Sequence, residues 1–426
     1  MGLSIDLRWV VLLVVCVVGY GWKMSEYTAG STVPDYTCTI TPTESCPMHN
    51  YPAGSTVLIY PGGKTRCQES DYPYAFIVRP GYTDKLMLYV QGGGACWDKN
   101  SYENDYCAKT PLLQDANGVF VDPHFGPFTQ VVALYCSGDL FIGNVTVKYR
   151  DAAGQRVQQR GVENMLAVVK WTTEQIKTSP SSPAYLNSTL TEMVLMGVSA
   201  GAVAVPIWSD YVFRHIPSTL YATVGDSYVL FMPQSIEGEL LRDTAGFCET
   251  SVLLPVEFED ECWAGTLRIA DLNIHNMRMR PRVAFSNIQA KLDSTQAFYY
   301  NAVLMSMGIP PIQASAYYAR SVTVIEELNQ EPNYLIFMID SNSHGYTYTP
   351  RYPTADQYSD TGASNNPGVG TPLREWVAQL PLAEGETIHS LCGGASCPES
   401  VMTKSYTASA RESVTCFQMK SWVSPS

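Results

Sequence analysis

Five short apolar runs stand out along the chain, each five or six residues long and bounded by glycine or polar residues. Runs of this length are typical of buried strands. Between the second and third runs, apolar residues from Val162 to Ile176 fall at helical spacing and predict a helix near 161–177. Strands that alternate with helices predict an α/β fold, with a mostly parallel sheet covered by helices on both faces. The predicted strands cover residues 86–90, 131–135, 193–197, 282–286 and 334–339.

The chain begins with the pattern of a signal peptide, to which we assign residues 1–22. A positive charge precedes the apolar run 9–18, and small residues follow it. This run is short for a membrane-spanning helix, which needs about twenty apolar residues. We therefore expect cleavage and secretion, with an uncleaved membrane anchor through residues 9–22 as the alternative. Asn144 and Asn187 begin glycosylation sequons, which matter only if a eukaryote secretes the chain.

The rest of the chain is predicted to form one large unit. Residues 23–54 are polar and contain cysteines, so we expect an N-terminal strap, followed by an α/β domain over 55–426. Length alone allows one large or two smaller domains; we predict a single large domain with lid-like insertions. Residues 225–263 are rich in Phe, Leu and Pro, and they form either such a lid or a set of core helices.

The formal net charge of the chain is −13 at pH 7. Nucleic acids and anionic membrane surfaces select basic patches, so this charge argues against both as partners. A polyanionic substrate would be repelled unless Arg150, Arg156 or Arg160 offset the charge locally, and these arginines alternatively form ordinary surface pairs. The charge places no restriction on a neutral substrate.

Twelve cysteines are spread through the chain, as is typical of a secreted protein with disulfides. Cys16 would leave with the signal peptide, so eleven would remain and one would stay unassigned. Cys96 is close enough to Cys107, and Cys392 to Cys397, to pair locally; spacing does not determine the other pairs. The motifs H-E-x-x-H and C-x-x-C are both absent from the sequence, so we expect no metal site.

Residues 197–201, Gly-Val-Ser-Ala-Gly, follow the apolar run 193–196 and precede a second run of small, apolar residues. A sharp turn from strand to helix would push Ser199 into a site, and the flanking glycines would relieve the crowding. Ala200 would open the helix with its N–H facing a developing oxyanion. A bare G-x-S-x-G motif can also be an ordinary tight turn. The strand before it and the helix after it favour a nucleophilic serine.

A second glycine cluster supports this interpretation. The predicted strand 86–90 runs into three successive glycines at 92–94. Acyl transfer by a serine needs two or three N–H donors around the oxyanion, and three glycines after an early strand present them in α/β-hydrolases. Gly93 and Gly94 would share this role with Ala200. A flexible loop is the alternative.

A nucleophilic serine needs a histidine base, and the chain has six histidines. In α/β-hydrolases the chain order is serine, acid, histidine, so the base lies downstream of Ser199. We prefer His344, because it lies in a polar turn directly after the apolar run 334–339, where a loop can aim the ring. His215, late in the predicted nucleophile helix, and His389, in a cysteine-bounded loop, are the alternatives. A lone histidine is more often a surface or core residue than a base.

The acid that orients the histidine must lie between it and the serine. Asp293 follows the predicted strand 282–286 and is our choice. Asp340 competes with it, because it lies four residues before His344 and can either cap its own loop or meet the imidazole. Spacing favours Asp293 by only about two to one.

Several of these segments carry a resemblance to a known family: 92–94 with Cys96, 135–139, 197–201, 292–294 and 343–344. Their order and surroundings are similar to those of the pectin acetylesterase and Notum family of secreted serine esterases. The resemblance extends over roughly residues 55 to 380, most of the mature chain. It implies a catalytic triad of Ser199, Asp293 and His344, and so favours Asp293 over Asp340.

The resemblance also implies that Gly93, Gly94 and Ala200 bind the oxyanion. The sequence departs from the family pattern at other positions: Gln91 replaces a usual acidic residue, and Val198 a usual cysteine. None of the departures removes a triad group, so they bear on the substrate and the cysteine pairing. Further departures occur at Ala95, Thr295, Gly345 and Tyr346.

Together these features predict a secreted serine carboxylester hydrolase, in which residues 55–426 form an α/β-hydrolase-like catalytic domain. We expect this enzyme to use no cofactor and to have no obligate protein partner. From the resemblance we expect deacetylation of an O-acetylated cell-wall polysaccharide, in the manner of a pectin acetylesterase. One alternative is a Notum-like carboxylesterase for longer acyl chains, which an enclosed apolar pocket would favour over an open groove with exposed aromatic residues. Another is an inactive binding protein on the same scaffold, which separation of Ser199 and His344 would favour.

Overall fold

A computed structural model describes residues 33–113, 116–178, 186, 189–230, 232–361 and 370–409. The predicted signal peptide and the Asn187 sequon lie outside these residues, as do Cys16 and Cys416. The described strands are β1 (Tyr36–Thr39), β2 (Val57–Tyr60), β3 (Phe76–Arg79), β4 (Lys85–Val90), β5 (Thr129–Ala133), β6 (Val145–Arg150), β7 (Arg156–Gln159), β8 (Leu190–Val198), β9 (Ser218–Asp226), β10 (Ala284–Ala290), β11 (Tyr334–Ile339), β12 (Thr387–His389), β13 (Leu391–Cys392) and β14 (Ser405–Thr407).

A mostly parallel sheet forms the centre of the described chain. Ten strands build it in the order β1-β2-β3-β5-β4-β8-β9-β10-β11-β13. Within this sheet β3 runs antiparallel to both of its neighbours, β2 and β5. Two antiparallel pairs lie outside the sheet, β6 with β7 and β12 with β14. The predicted α/β fold class is confirmed.

Helices cover both faces of the sheet, but unequally. Strands β8, β9, β10 and β11 follow one another across the sheet, so right-handed connections place their helices on the same face. The opposite face is covered mainly by residues 119–128, 346–355 and 373–382. The described helices are α1 (Lys99–Glu103), α2 (Gly161–Thr178), α3 (Ala200–His215), α4 (Gln234–Glu239), α5 (Glu259–Ala264), α6 (Ile269–Met279), α7 (Ser294–Ser306), α8 (Ala314–Leu328), α9 (Leu373–Val377) and α10 (Glu399–Met402).

Alternate residues of each central strand enter different cores. In β4, Leu86 and Leu88 pack among the long helices, while Met87 and Tyr89 pack on the opposite face. Because both faces are buried, such a strand is an unbroken apolar run, and the sequence locates β4, β8 and β11 well. The prediction omits β9, since the first four residues of that strand are only partly buried or exposed and form no apolar run.

The region 225–263 serves as both core and pocket wall. It contains helices α4 and α5, with a π-helical turn over Leu240–Thr244 between them. Leu241 and Phe247 are buried in the core on the face of the long helices. Leu241 also lines a cavity described below.

Five disulfides lie within the described residues. The two local pairs that spacing allows, Cys96–Cys107 and Cys392–Cys397, are both formed. None of the helices in the described residues is both long and apolar enough to cross a membrane. The remaining bridges are Cys38–Cys46, Cys67–Cys136 and Cys248–Cys262.

We expect Gly201→Ala to destabilise the fold severely. A Cβ atom at Gly201 would lie 2.0 Å from the Val90 carbonyl oxygen, so α3 would have to move away from β4. The free energy of unfolding should fall by about 3 kcal/mol or more, as for other overpacked sites. Urea unfolding of the purified protein measures it.

Gly154→Ala is the matched control. Gly154 has a positive φ of 79°, but nothing lies within 4 Å of the added Cβ. Only backbone strain should act there, at about 1–2 kcal/mol. Equal losses in the two variants would contradict the packing argument.

Candidate active site

Ser199 alone forms the turn between β8 and α3. Its φ of 53° and ψ of −120° are rare for an L-residue and cost about 1–3 kcal/mol. The Ser199 N–H donates to the Asp226 carbonyl at 2.8 Å, which holds the strained turn against β9. Gly197 is required there, because a Cβ would lie 2.7 Å from the Gly201 carbonyl oxygen. The turn has the geometry of a nucleophile elbow.

The glycine segment after β4 packs directly against this elbow. A Cβ at Gly92 would lie 2.9 Å from the Cβ of Ser199, and one at Gly94 would lie 2.1 Å from the Tyr299 hydroxyl. Gly94 also has a positive φ of 73°. These contacts explain why glycine occupies both positions.

Three backbone N–H groups near the elbow are available to a ligand. Within the described residues, no acceptor is found for the N–H groups of Gly93, Gly94 or Ala200. Gly94 and Ala200 line the same cavity as Ser199. Gly93 is not among the residues that line this cavity, and its carbonyl accepts a hydrogen bond from the Ala108 N–H at 2.7 Å.

The fully buried Asp293 is paired with His344, whose side chain is 12% exposed. The Nδ1 of His344 lies 2.8 Å from Asp293 Oδ2 and 3.0 Å from Oδ1. Asp293 also accepts hydrogen bonds from the backbone N–H and the side-chain amide of Gln296, at 2.8 and 2.9 Å. Since Asp293 caps the N-terminus of α7, the helix dipole stabilises its charge as well.

The Nε2 atom of His344 faces away from Asp293 and is buried. None of the described residues forms a hydrogen bond to it, Ser199 included. His344 and Ser199 nevertheless line one cavity. Catalytic hydrogen bonds are often long until a substrate binds. The missing bond between Ser199 and His344 is therefore compatible with proton transfer between them.

The charges around His344 favour its protonated form. Burial lowers the pKa of His344, but the negative charges of Asp293 and Asp226 and the hydrogen bond to Asp293 raise it more. The pKa therefore lies above the ordinary value of 6.5. In the neutral ring, a proton on Nδ1 bonded to Asp293 leaves Nε2 free to accept another.

Asp226 and Ser227 anchor the loop that carries His344. The Asp226 carboxylate accepts from the backbone N–H groups of Tyr346 and Thr347 at 2.7 and 2.6 Å, and from the Thr347 hydroxyl at 2.8 Å. Ser227 accepts from the Gly345 N–H at 2.8 Å. Asp226 is fully buried, and burial raises its pKa although these hydrogen bonds favour the charged form. This anchor fixes the histidine loop to the end of β9.

The alternative residues from the sequence lie elsewhere. The side chain of Asp340 is 48% exposed and lies 4.0 Å from Lys291. His215 bonds to the Tyr211 carbonyl and stacks on its ring at the end of α3. His389 is exposed on β12. The histidine bonded to a buried acid is His344.

Two neighbouring cavities share part of their walls, and Ser199 lines one of them. The serine cavity has an empty volume of about 330 Å³, counted out to its mouth. An adjoining cavity of about 510 Å³ shares Ala95, Leu140 and Tyr299 with it as walls. Other apolar residues of the adjoining cavity are Ile142, Met232, Leu240, Leu241, Ala245 and Val303.

Sequence reasoning missed Asp226 and Gln296. Gln296 lines the serine cavity and links Asp293 to the backbone of Val229, from which its Oε1 accepts at 2.9 Å. Its place three residues after the helix cap Asp293 is a capping pattern that could have been recognised. Asp226 gave no such signal, because its partners lie about 120 residues downstream.

The fold is similar to that of a solved hydrolase. The Wnt deacylase Notum from Drosophila, in one crystal form, superposes with a TM-score of 0.50 at 16% identity, covering 74% of this chain and 89% of that chain. A second crystal form of the same protein gives a TM-score of 0.48 at the same identity and coverage. No model of a protein family matches the sequence, and no curated protein matches it either. At this identity the likeness shows the fold, for which the resemblance seen in the sequence is confirmed.

Asp226→Asn should lower the pKa of His344. The Asp226 charge stabilises the imidazolium, so its removal favours the neutral ring. The asparagine oxygen can still accept from the loop, and its amide can donate to Ser227. NMR titration of the His344 ring checks the expected downward shift.

Asp340→Asn provides the control for this titration, because the exposed Asp340 is not among the charges acting on His344. In Asp340→Asn, the pKa of His344 should equal its value in the unmodified protein. An unchanged pKa in Asp226→Asn would mean that the Asp226 charge does not act on the ring.

Proposed function

We propose that this protein is a secreted carboxylester hydrolase that acts through an acyl-enzyme on Ser199. The observation that carries the proposal is the joint position of three groups: the strained serine, the hydrogen-bonded pair of Asp293 and His344, and backbone N–H groups without acceptors beside the cavity that Ser199 lines. Serine esterases require these three parts.

In the first half of the reaction, the Ser199 oxygen attacks the ester carbonyl carbon while its proton moves to Nε2 of His344. The N–H groups of Gly94 and Ala200, with that of Gly93, stabilise the oxyanion. The intermediate collapses, the carbon–oxygen bond to the alcohol breaks, and His344 protonates the leaving oxygen. The acyl group stays on Ser199.

In the second half, water attacks the acyl-enzyme and gives its proton to His344. Collapse of the second intermediate returns that proton to the serine oxygen and releases the carboxylic acid. Asp293 holds the imidazole by its Nδ1 atom and stabilises the positive charge that forms twice in each cycle. The raised pKa of His344 is a direct expression of that stabilisation.

The five disulfides support an extracellular or other oxidising location. The predicted signal peptide over residues 1–22 supports the same location, and the Asn144 sequon lies at the start of β6. We therefore place the substrate outside the cell.

Two classes of acyl substrate follow from the surroundings of Ser199. Deacetylation of a polysaccharide is supported by a group of aromatic rings beside the serine cavity. In this group Phe298 is 45% exposed, and the centre of its ring lies 5.3 Å from that of Tyr106 and 5.4 Å from that of Tyr299. Such faces can stack on sugar rings. Hydrolysis of a longer acyl chain is supported by the apolar adjoining cavity. Deacylation, the activity named for the similar fold from Drosophila, fits either class. We favour the longer chain, because the adjoining cavity is almost wholly apolar and shares Ala95, Leu140 and Tyr299 with the cavity that Ser199 lines.

Substitution of the three candidate catalytic residues should abolish hydrolysis of p-nitrophenyl acetate. We expect Ser199→Ala and His344→Ala to lower kcat/KM by about 10³-fold or more, and Asp293→Asn by about 10²-fold or more. The release of p-nitrophenol, followed over time, gives kcat/KM for each variant. Circular dichroism verifies that each variant is folded.

His215→Ala and Asp340→Asn are matched controls of the same residue types and should keep full activity. Activity that survives in folded Ser199→Ala would refute the acyl-enzyme. No activity in the unmodified protein on acetate or longer esters would favour a binding protein on this scaffold.

Ala245→Phe should select against longer acyl chains. Ala245 is buried in the wall of the adjoining cavity, and a phenyl ring there would fill part of it. We expect kcat/KM for p-nitrophenyl octanoate to fall about tenfold relative to acetate, which needs only the serine cavity. The ratio of the two rates is the measurement.

Val256→Phe adds the same ring at a position that is 76% exposed in the same region. It should leave the ratio of octanoate to acetate unchanged. If Ala245→Phe slows both esters equally, the acyl chain does not occupy the adjoining cavity, and the acetyl substrate is favoured instead.

A further inference from the structure

Helix α7 has apolar side chains on its outer side as well as on its inner side. On the inner side Gln296, Tyr299 and Val303 line the serine cavity or the adjoining cavity. On the outer side Phe298 and Met305, two helical turns apart, are 45% and 52% exposed. A surface helix of a globular protein usually has charged or polar residues on the side opposite the core. The outer side of α7 therefore has the character of a binding surface.

The loop after α7 extends this apolar surface. Met307 and Ile309 directly follow the helix and are 42% and 41% exposed. The Asn301 side chain holds the loop against the helix, because it donates to the Ile312 carbonyl at 3.2 Å and accepts from the Ile312 N–H at 2.9 Å. Met305, Met307 and Ile309 thus form one exposed patch at the end of α7, which we call the apolar tip.

The whole segment that contains the apolar tip is without charge. Residues 294–319 include no Asp, Glu, Lys or Arg, and no other stretch of the chain without these four residue types is as long. By contrast, 16% of all residues in the chain are charged, and the net charge is −13. Polar side chains near the tip are used within the segment, since Ser306 donates to the Val303 carbonyl at 2.7 Å. The tip therefore offers apolar contact and no charge that a partner could pair.

We infer that the apolar tip docks the protein on the surface of a zwitterionic lipid bilayer, with Met305, Met307 and Ile309 inserted between the headgroups. Apolar side chains on one face of a surface helix bind lipid in proportion to the apolar area that they bury. An anionic bilayer would repel the net charge of −13, and the tip has no Lys or Arg to offset that repulsion. A protein partner fits less well, because protein interfaces contain about one hydrogen bond per 100–200 Å², and the three tip side chains supply none.

The position of the tip connects it to the candidate active site. Helix α7 begins directly after Asp293, and Val303 in its last turn lines the adjoining cavity. Between them, Phe298 belongs to the aromatic group beside the serine cavity. The role of docking rests on the proposed function, since esters of longer acyl chains collect in lipid layers. A bilayer bound at the tip would present such esters close to the two cavities.

Flotation with phosphatidylcholine vesicles tests the docking, in the Ser199→Ala background so that hydrolysis plays no part. We expect this protein to float with the vesicles. Adding Met305→Ser and Met307→Ser should lower the partition coefficient by about tenfold or more, because two inserted apolar side chains are lost. Adding phosphatidylserine to the vesicles should weaken binding, since the negative surface repels the protein.

Met279→Ser combined with Met402→Ser is the matched control. Both methionines are 58% exposed. They lie at the edge of the sheet opposite the candidate site, because the nearby carbonyls of Met277 and Ser400 accept from side chains that shortly precede β11. This double variant should bind phosphatidylcholine vesicles as the unmodified surface does.

Hydrolysis of dissolved p-nitrophenyl acetate separates this inference from the proposed function. With Ser199 present, Met305→Ser combined with Met307→Ser should keep full activity, since neither methionine lines either cavity. Absence of all ester hydrolysis with vesicle binding retained would refute the proposed function alone. The inference is overturned if the protein does not float with phosphatidylcholine, which would assign the tip to a protein partner. It is also overturned if phosphatidylserine strengthens binding or if both double variants lose binding equally.

Discussion

The candidate site depends on the hydrogen bonds that converge on Asp226 at the end of β9. Its backbone carbonyl holds the N–H of the strained Ser199, and its carboxylate holds the loop that follows His344. One buried residue therefore sets the position of both the serine and the histidine relative to the sheet. Burial of a carboxylate is costly, and that cost is offset by three donors from the loop after His344 and by the hydroxyl of Ser227. The strained serine conformation persists because this surrounding network determines it.

A second constraint is the close approach of backbone segments around the elbow. Gly92, Gly197 and Gly201 each leave no room for a side chain, since a Cβ would meet neighbouring atoms at 2.9 Å or less. These contacts bring β4, β8 and α3 together and place unpaired N–H groups beside Ser199. The same glycines therefore allow both the tight packing and the position of the N–H donors. Bulkier residues at these positions would hold the segments apart and move the donors away from Ser199.

The sequence was sufficient for the parts of the molecule that local pattern determines. Fully buried strands such as β4 and β11 are continuous apolar runs, and the elbow around Ser199 is a local combination of strand, glycine turn and helix. Spacing alone did not decide whether Asp293 or Asp340 orients the histidine, because both follow strands whose ends lie at the same edge of the sheet. The structure brings only Asp293 to the His344 ring. The role of Asp226 could not be predicted from the sequence, since it arises from hydrogen bonds to a segment about 120 residues away in the chain.

The arrangement of the disulfides has a consequence for how the chain reaches this structure. Four of the five bridges join cysteines 5 to 14 residues apart, and each closes a small loop at little entropic cost. Such loops can close soon after synthesis, while the rest of the chain is still being made. Cys67 and Cys136 are 69 residues apart and enclose β3, β4 and β5, so their pairing waits for that edge of the sheet to assemble. Among the ten cysteines of the described residues, this is the one pairing between distant parts of the chain, which limits the number of wrongly paired intermediates.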